Sequence, residues 1–311
     1  MIIITGANGF IGKNLYFKIK KKYNAKILII EDTQNYIGQD LIEEEILDFR
    51  NVDFDQFAKY NIQAIFHLGA ITDTTYDNFE NINNQNTIFS IKLLNSVKNK
   101  YCKFIYASSA SVYGKNYNSK EEPKNENPIN MYSKSKLNFD NYVRENAINF
   151  INKNIYGLRY FNVYGPGENN KGKMASVVFH FYHQLINDNK INLFVGSDGF
   201  EAGEQKRDFI YVDDVTNITL DLFESNYNPG IYNLGTGEAT SFNKVAKTII
   251  EKTNLKNQPI ITYIDFPKKL LDGYQSFTKA DLNKFKSNGL KYKFTNIEKG
   301  ISLYINYLCK Q

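Results

Sequence analysis

Through its first half the chain alternates short apolar runs with longer stretches in which apolar residues recur every three or four positions. Ile2–Thr5, Lys26–Ile30, Ala64–His67 and Lys103–Ala107 are apolar through their centres rather than alternating, as strands covered on both faces are. Phe10–Lys22, Asn86–Lys98 and Met131–Ala147 carry helical spacing. Ile155–Tyr160 reads as a further strand. This strand–helix alternation predicts an α/β fold, a doubly wound parallel sheet with helices on both faces. Gly165-Pro166-Gly167 then breaks the pattern. A mixed region follows in which Asp208–Val212 reads as a strand and Asp213–Ser225 as a helix. The expected division is residues 1–168 as one domain, with 205–236 returning to it, and 169–311 as a smaller mixed C-terminal domain. There is no repeat and no low-complexity linker, so the two are expected to pack closely.

The first strand runs straight into Gly6-Ala7-Asn8-Gly9-Phe10-Ile11-Gly12 and then a helix. This order makes the glycines more than a loop. Gly6 permits the tight turn, Gly9 lets backbone approach a pyrophosphate, and Gly12 lets helix and strand pack closely, which defines a Rossmann-like dinucleotide site. The helix N-terminus adds N–H groups and positive dipole for the phosphates. The spacing is G-x-x-G-x-x-G rather than G-x-G-x-x-G. Glu31 and Asp32 end the second strand about 20 residues on, where a carboxylate can accept from ribose hydroxyls. They would also repel a 2′-phosphate, and no Arg or Lys follows before Arg50, so local charge favours NAD. Leu68, Gly69, Ala70, Ile71 and Thr72, after the strand ending at His67, are expected beside the dinucleotide. Asp48 and Phe49 are expected to flank the adenine, and Asn86 and Val163 complete the candidate cofactor contacts.

Tyr132 and Lys136 are four apart on a predicted helix and so share a face. An ammonium beside a tyrosine favours the phenolate, turning a poor base into a useful one. Ser109, placed just after the fourth strand, would orient a substrate alcohol. A lone Y-x-x-x-K means little in a chain with 23 tyrosines. The glycine turn and the serine in the expected order give it weight: a nicotinamide held beside acid–base chemistry on a hydroxyl.

Composition changes this picture little. The 311 residues are 42% hydrophobic and 23% charged, as expected of a globular protein with a substantial core. No apolar run is long enough to span a bilayer. The first core strand is expected to start at Met1, which would leave no room for a leader, and the two cysteines, Cys102 and Cys309, have no metal or redox spacing. A reducing cytoplasm and no metal are the expectation. The net charge of +5 suits an anionic ligand, but the basic residues are scattered. The dense run Lys18-Ile19-Lys20-Lys21-Lys22 reads as the solvated end of a helix, so no nucleic acid or membrane partner is expected.

The glycine turn, Ser108-Ser109-Ala110-Ser111-Val112-Tyr113-Gly114, the Tyr132/Lys136 pair, Leu158-Arg159-Tyr160-Phe161-Asn162-Val163-Tyr164-Gly165-Pro166 and Arg207-Asp208-Phe209 together resemble the extended short-chain dehydrogenase/reductases acting on nucleotide sugars. Lys171-Gly172-Lys173-Met174-Ala175-Ser176-Val177 with His180, Leu193-Phe194-Val195-Gly196-Ser197, and Gly273-Tyr274-Gln275-Ser276-Phe277-Thr278-Lys279-Ala280-Asp281-Leu282 are similar to the ADP-L-glycero-D-manno-heptose 6-epimerase family within that group. The resemblance covers essentially the whole chain. It implies a cytoplasmic isomerase that inverts C6 of an ADP-heptose through a keto intermediate, serving lipopolysaccharide core synthesis. It also implies NADP as cofactor and a pentamer-like homo-oligomer. It makes Lys171 a second catalytic base facing Tyr132, also against the cofactor. Asn162, Lys173, His180, Phe194, Val195, Gly196, Ser197, Arg207 and Tyr274 are placed at the substrate with Ser109. Arg207 offers a planar fork for a diphosphate.

Three features depart from the family. Lys173 stands where serine is usual, the stretch Asp198–Gln205 is longer than in some relatives, and Gly38 replaces a lysine that can meet a 2′-phosphate. The rival readings are a 4-epimerase of another nucleotide sugar and, from a different class, a non-catalytic dinucleotide sensor. A 4,6-dehydratase fits less well, since Ala110-Ser111 follow Ser109 where those enzymes carry an Asp-Glu pair.

Overall fold

The structure is a computed structural model and describes residues 1–34, 44–151, 153–255, 259–267 and 273–310. Gly38 lies outside the described residues. The central sheet has seven strands, all parallel: β1 (Ile2–Thr5), β2 (Ile27–Glu31), β3 (Glu45–Asp48), β4 (Ala64–His67), β5 (Lys103–Ser109), β6 (Ile155–Tyr160) and β11 (Gly230–Leu234), in the order β11-β6-β5-β4-β1-β2-β3. The strand order reverses at β1, which pairs with β2 on one side and β4 on the other. Ligands of open α/β sheets bind in the crevice at the carboxyl ends of such a pair.

The continuous apolar runs have their reason in the layers. Ile2 and Ile4 enter one buried cluster, whereas Ile3 enters another on the opposite face. Ile27 and Ile29 alternate with Leu28 and Ile30 in the same way. On the first face lie α1 (Phe10–Lys22) and α6 (Val212–Glu224). On the second lie α4 (Met131–Asn146), α2 (Phe79–Asn83) and α3 (Phe89–Asn95). The helix expected over Asn86–Lys98 starts earlier and contains a π turn at Asn84–Ile88, which bulges the backbone at Asn86.

A third cluster is built by α5 (Val177–Asp188), α7 (Phe242–Thr253) and the helix Ile297–Leu308. Small sheets serve it: β7 (Asn162–Tyr164) with β10 (Phe209–Tyr211), and β8 (Lys190–Phe194) with β13 (Ile260–Ile264). The strand expected over Asp208–Val212 is shorter, because Val212 already begins α6. Among the described residues no helix is long and apolar enough to cross a membrane.

Candidate active site

The glycine turn sits at the switch point as expected. Gly6 has φ of +69°, and a Cβ there would lie 2.6 Å from the Gly69 Cα. A Cβ on Gly12 would lie 1.9 Å from the Gly6 carbonyl oxygen, so α1 can start this close to β1 only with glycine. Both positions are backbone cradles, as a pyrophosphate site requires. They open onto a cleft of about 750 Å³. Gly6, Gly9, Phe10, Ile11, Gly12, Glu31, Leu68, Gly69, Ala70, Thr72, Ser109, Tyr132, Lys136, Val163, Lys171 and Lys173 all line it. So do Asp73, Thr74, Ala107, Ser108, Tyr160, Phe161, Asn170 and Met174, which sequence reasoning did not single out.

Ile71 and Asn86 are not on the wall. Asn86 is buried and accepts from the Ile71 N–H at 2.8 Å while donating to the Ile71 carbonyl at 2.9 Å and to Ser135 Oγ at 3.0 Å. It fastens the loop after β4 to the helix bearing Tyr132. His67, also buried, bonds Thr5 Oγ1 at 2.8 Å and Ser90 Oγ at 2.7 Å. Burial and the nearby Lys136 charge pull its pKa down to about 3, so it stays neutral.

At the adenosine end Glu31 accepts the Asn8 N–H at 2.9 Å, tying the glycine loop to β2. Burial raises its pKa. Asp32, Asp48 and Phe49 do not line the cleft. Arg50, far along the chain from Asp32, folds back onto it at 2.8 Å, and its Nε donates to Asp48 at 2.7 Å. That guanidinium holds the Asp48 carboxyl well below its ordinary range. The sequence argument that no cation stands near Asp32 is therefore corrected: Arg50 is there.

The chemical end is built on β5 and α4. Ser109 is the last residue of β5, not the residue after it. Asn130 caps α4 reciprocally with Ser133, fixing the first turn that presents Tyr132. The Ser109 hydroxyl accepts from Ser111 Oγ at 2.9 Å, which frees its own proton for Tyr132. That hydrogen bond favours the phenolate. Lys136 shares the face as expected, with Nζ 5.9 Å from the Tyr132 ring centroid. The expected electrostatic effect on Tyr132 is not there. Lys136 donates to the Ala107 carbonyl at 2.9 Å, and burial leaves the Tyr132 pKa raised, with only Ser109 lowering it. Burial also draws Lys136 down to about 8. Asp140, one further turn along α4, supports the lysine's charge and is itself held by Arg159 at 2.8 Å, by Tyr106 and by Ser108.

Lys171 enters from the opposite side, on the short helical loop Asn169–Met174. Its Nζ lies 5.0 Å over the Phe10 ring, and burial lowers its pKa. Neither Lys136 nor Lys173 adds to that lowering. The charge beside it is Glu168, which acts in the other direction, and Lys173 is engaged elsewhere. Lys173 is mostly exposed and pairs with Asp73 at 2.9 Å and Thr75 at 2.7 Å, clasping the loop after β4 across the cleft mouth. Asp73 falls to about 2 through Thr75 and this lysine.

The remaining candidates form a second group. The Arg207 guanidinium is buried, 4.9 Å over Tyr274 and 5.6 Å over Phe242, and meets no carboxylate among the described residues. Phe194 stacks on Phe266 at 4.4 Å, and Tyr274 packs edge-on against Phe266 at 4.7 Å. Phe266 was not foreseen. Val195, Gly196 and Ser197 continue from β8 into a turn in which the Phe200 N–H donates to the Ser197 carbonyl at 2.9 Å, and the Ser197 hydroxyl meets that of Ser276 at 2.9 Å. Asn162 is exposed on β7, where Thr278 Oγ1 reaches it at 3.4 Å. His180 lies half-buried on α5 against Phe179. Among the described residues no group of three or more His, Cys, Asp or Glu is placed to hold a metal ion.

A doubly wound sheet whose glycine turn opens onto a serine, a tyrosine and a buried lysine defines a dinucleotide-dependent enzyme, and the chain belongs to the NAD dependent epimerase/dehydratase family, whose model matches residues 2–235. Within it, the chain is 39% identical to the ADP-L-glycero-D-manno-heptose-6-epimerase of Alkalilimnicola ehrlichii, over 98% of its own length and 97% of the relative's. Among solved structures it is similar to the ADP-L-glycero-D-manno-heptose-6-epimerase of Helicobacter pylori, with 31% identity, a TM-score of 0.83, and 99% and 96% of the two chains covered. It is also similar to the UDP-glucose 4-epimerase of Thermotoga maritima, with 26% identity, a TM-score of 0.81, and 99% and 98% covered.

Proposed function

We propose that the protein inverts C6 of the heptose in ADP-D-glycero-β-D-manno-heptose, giving the L-glycero form. The observation that carries this reading is one cleft lined by Tyr132 on α4 and by Lys171 on a separate loop, with the glycine turn in the same wall. Bound nicotinamide supplies reversible oxidation of the C6 hydroxyl. Inversion returns hydrogen to the other face of that carbon, so the oxygen needs an acid–base group in each of two sugar orientations. Tyr132, with Ser109 donating to it, serves one orientation and Lys171 the other. Lys136 is placed to fix the cofactor and the helix turn that carries Tyr132. Arg207 suits the substrate diphosphate, being a buried guanidinium without a carboxylate among the described residues. The Phe194–Phe266 stack beside Tyr274 suits a flat base.

The test is incubation with ADP-D-glycero-β-D-manno-heptose followed by proton NMR. The expected result is an equilibrium mixture of the two C6 epimers. Recovery of unchanged substrate, together with C4 inversion of a UDP-sugar, would establish the 4-epimerase reading instead.

The adenosine end supports NAD over NADP. Glu31, Asp32 and Asp48 bring three carboxylates, and the one guanidinium among them, Arg50, is engaged by two. A 2′-phosphate would add further negative charge to this set. Protein denatured after purification is expected to release mostly NAD. Release of mostly NADP would mean that Arg50 leaves its carboxylates for the phosphate.

A further inference from the structure

We propose that Glu168 is a positioning residue for Lys171: its carboxylate closes the loop that carries Lys171 into the cleft and supplies the lysine's counter-charge. This rests on the reading of Lys171 as a second acid–base group. Glu168 is wholly buried. Its Oε1 accepts the Gly165 N–H at 2.9 Å and the Ser176 hydroxyl at 2.9 Å, and its Oε2 accepts the Ser176 N–H. Gly165 directly follows β7, and Ser176 is the N-cap of α5. One side chain thus joins the two ends of the segment, and the part between them turns into the cleft. The Glu168 backbone carbonyl also accepts the Lys171 N–H at 2.9 Å.

All the hydrogen-bond partners of this carboxyl donate, which suits the acceptor-only ionised form. Burial raises the Glu168 pKa; the Ser176 and Gly165 N–H groups act against that rise, as does one ammonium, that of Lys171, the partner charge that an ionised group in such a place needs. The relation is mutual, since Glu168 raises the lysine's affinity for protons while burial lowers it. Other neighbours do not compete. Phe10 presents only a ring to Lys171, Lys173 is held by Asp73, and Tyr304, which faces Glu168 from the C-terminal helix, stays protonated because burial raises its pKa far above the ordinary value.

Glu168→Gln removes the charge at nearly constant volume and turns an amide donor toward a backbone donor. The experiment follows epimerisation of ADP-heptose against pH. Beside it runs the Tyr132-dependent reduction of an aldehyde analogue of the substrate by bound reduced cofactor. Epimerisation is expected to fall about ten- to a hundredfold, the scale of a small misplacement of a reacting group. The half-reaction should stay close to the parent's. The limb of the pH profile that is missing in Lys171→Met should move to lower pH. Equal loss in both reactions with no displacement would make Glu168 a structural residue only and overturn the proposal. If Lys171→Met itself epimerises at the parent rate, the two-base reading fails first, and the two failures are told apart. Should Glu168→Gln not fold, Ser176→Ala removes a clasp partner and keeps the charge. It is expected to slow epimerisation more than the half-reaction with the limb unmoved, and equal slowing overturns the proposal.

Discussion

Lys171→Met is expected to lose at least about a hundredfold in epimerisation, the scale of a general acid–base group, while still folding and holding its dinucleotide. An exposed lysine with a pKa of about 10.4 is a poor base at neutral pH. Burial lowers this one, and methionine retains the apolar stem that packs toward Phe10. The cradle formed by Gly6 and Gly12 does not involve Lys171. The defect should therefore be one-sided, with reduction of an aldehyde analogue through Tyr132 surviving. Steady-state NMR of the sugar and single-turnover absorbance of the reduced cofactor read the two separately. Parental epimerisation would mean that one group serves both orientations, as a 4-epimerase-like reading requires. Failure to retain dinucleotide would make Lys171 a binding residue.

Tyr132→Phe should instead remove both activities, by roughly a hundredfold or more. The ring keeps its packing and α4 keeps its Asn130 cap, so circular dichroism and dinucleotide content should match the parent. Ser109 keeps its bonds from Ser111 and loses only the acceptor for its own proton. The comparison matters more than either loss alone: one variant silences every redox event and the other only the passage between two orientations. Near-normal turnover by a folded Tyr132→Phe protein would remove tyrosine from the chemistry.

The parts of this molecule readable in the sequence are those where local chemistry and tertiary role agree. β1 and α1 are legible because a strand covered on both faces must be apolar throughout, and because Gly6 and Gly12 meet backbone that tolerates no Cβ. α4 declares itself through its helical spacing and through Tyr132 and Lys136 on one face. β3 is not legible: Glu45-Ile46-Leu47-Asp48 is an edge strand with a charge at each end. β7, β8 and β13 are short and held by the third core cluster, so their periodicity is too brief to read.

The site divides the same way. Residue types were readable, but the charges acting on them were not. Arg50 reaches Asp32 only because β2 and β3 lie side by side. Lys136 turns to a carbonyl on β5 rather than acting on Tyr132, and the charge that Lys171 meets is the carboxylate of Glu168. Asp140 was within reach of sequence reasoning, since it stands four residues beyond Lys136 and eight beyond Tyr132 on the same helical face.

The outermost strand on one side of the sheet, β11, comes after β7, β8 and β10 in the chain, and it pairs with β6 from Tyr156 to Tyr160. On a ribosome adding roughly 5–20 residues per second, β6 emerges several seconds before its neighbour. During that interval six strands can assemble while the backbone groups of β6 that pair with β11 stand as an open edge able to pair with another nascent chain. Completion of the seven-stranded sheet thus waits on synthesis of the segment that follows β6.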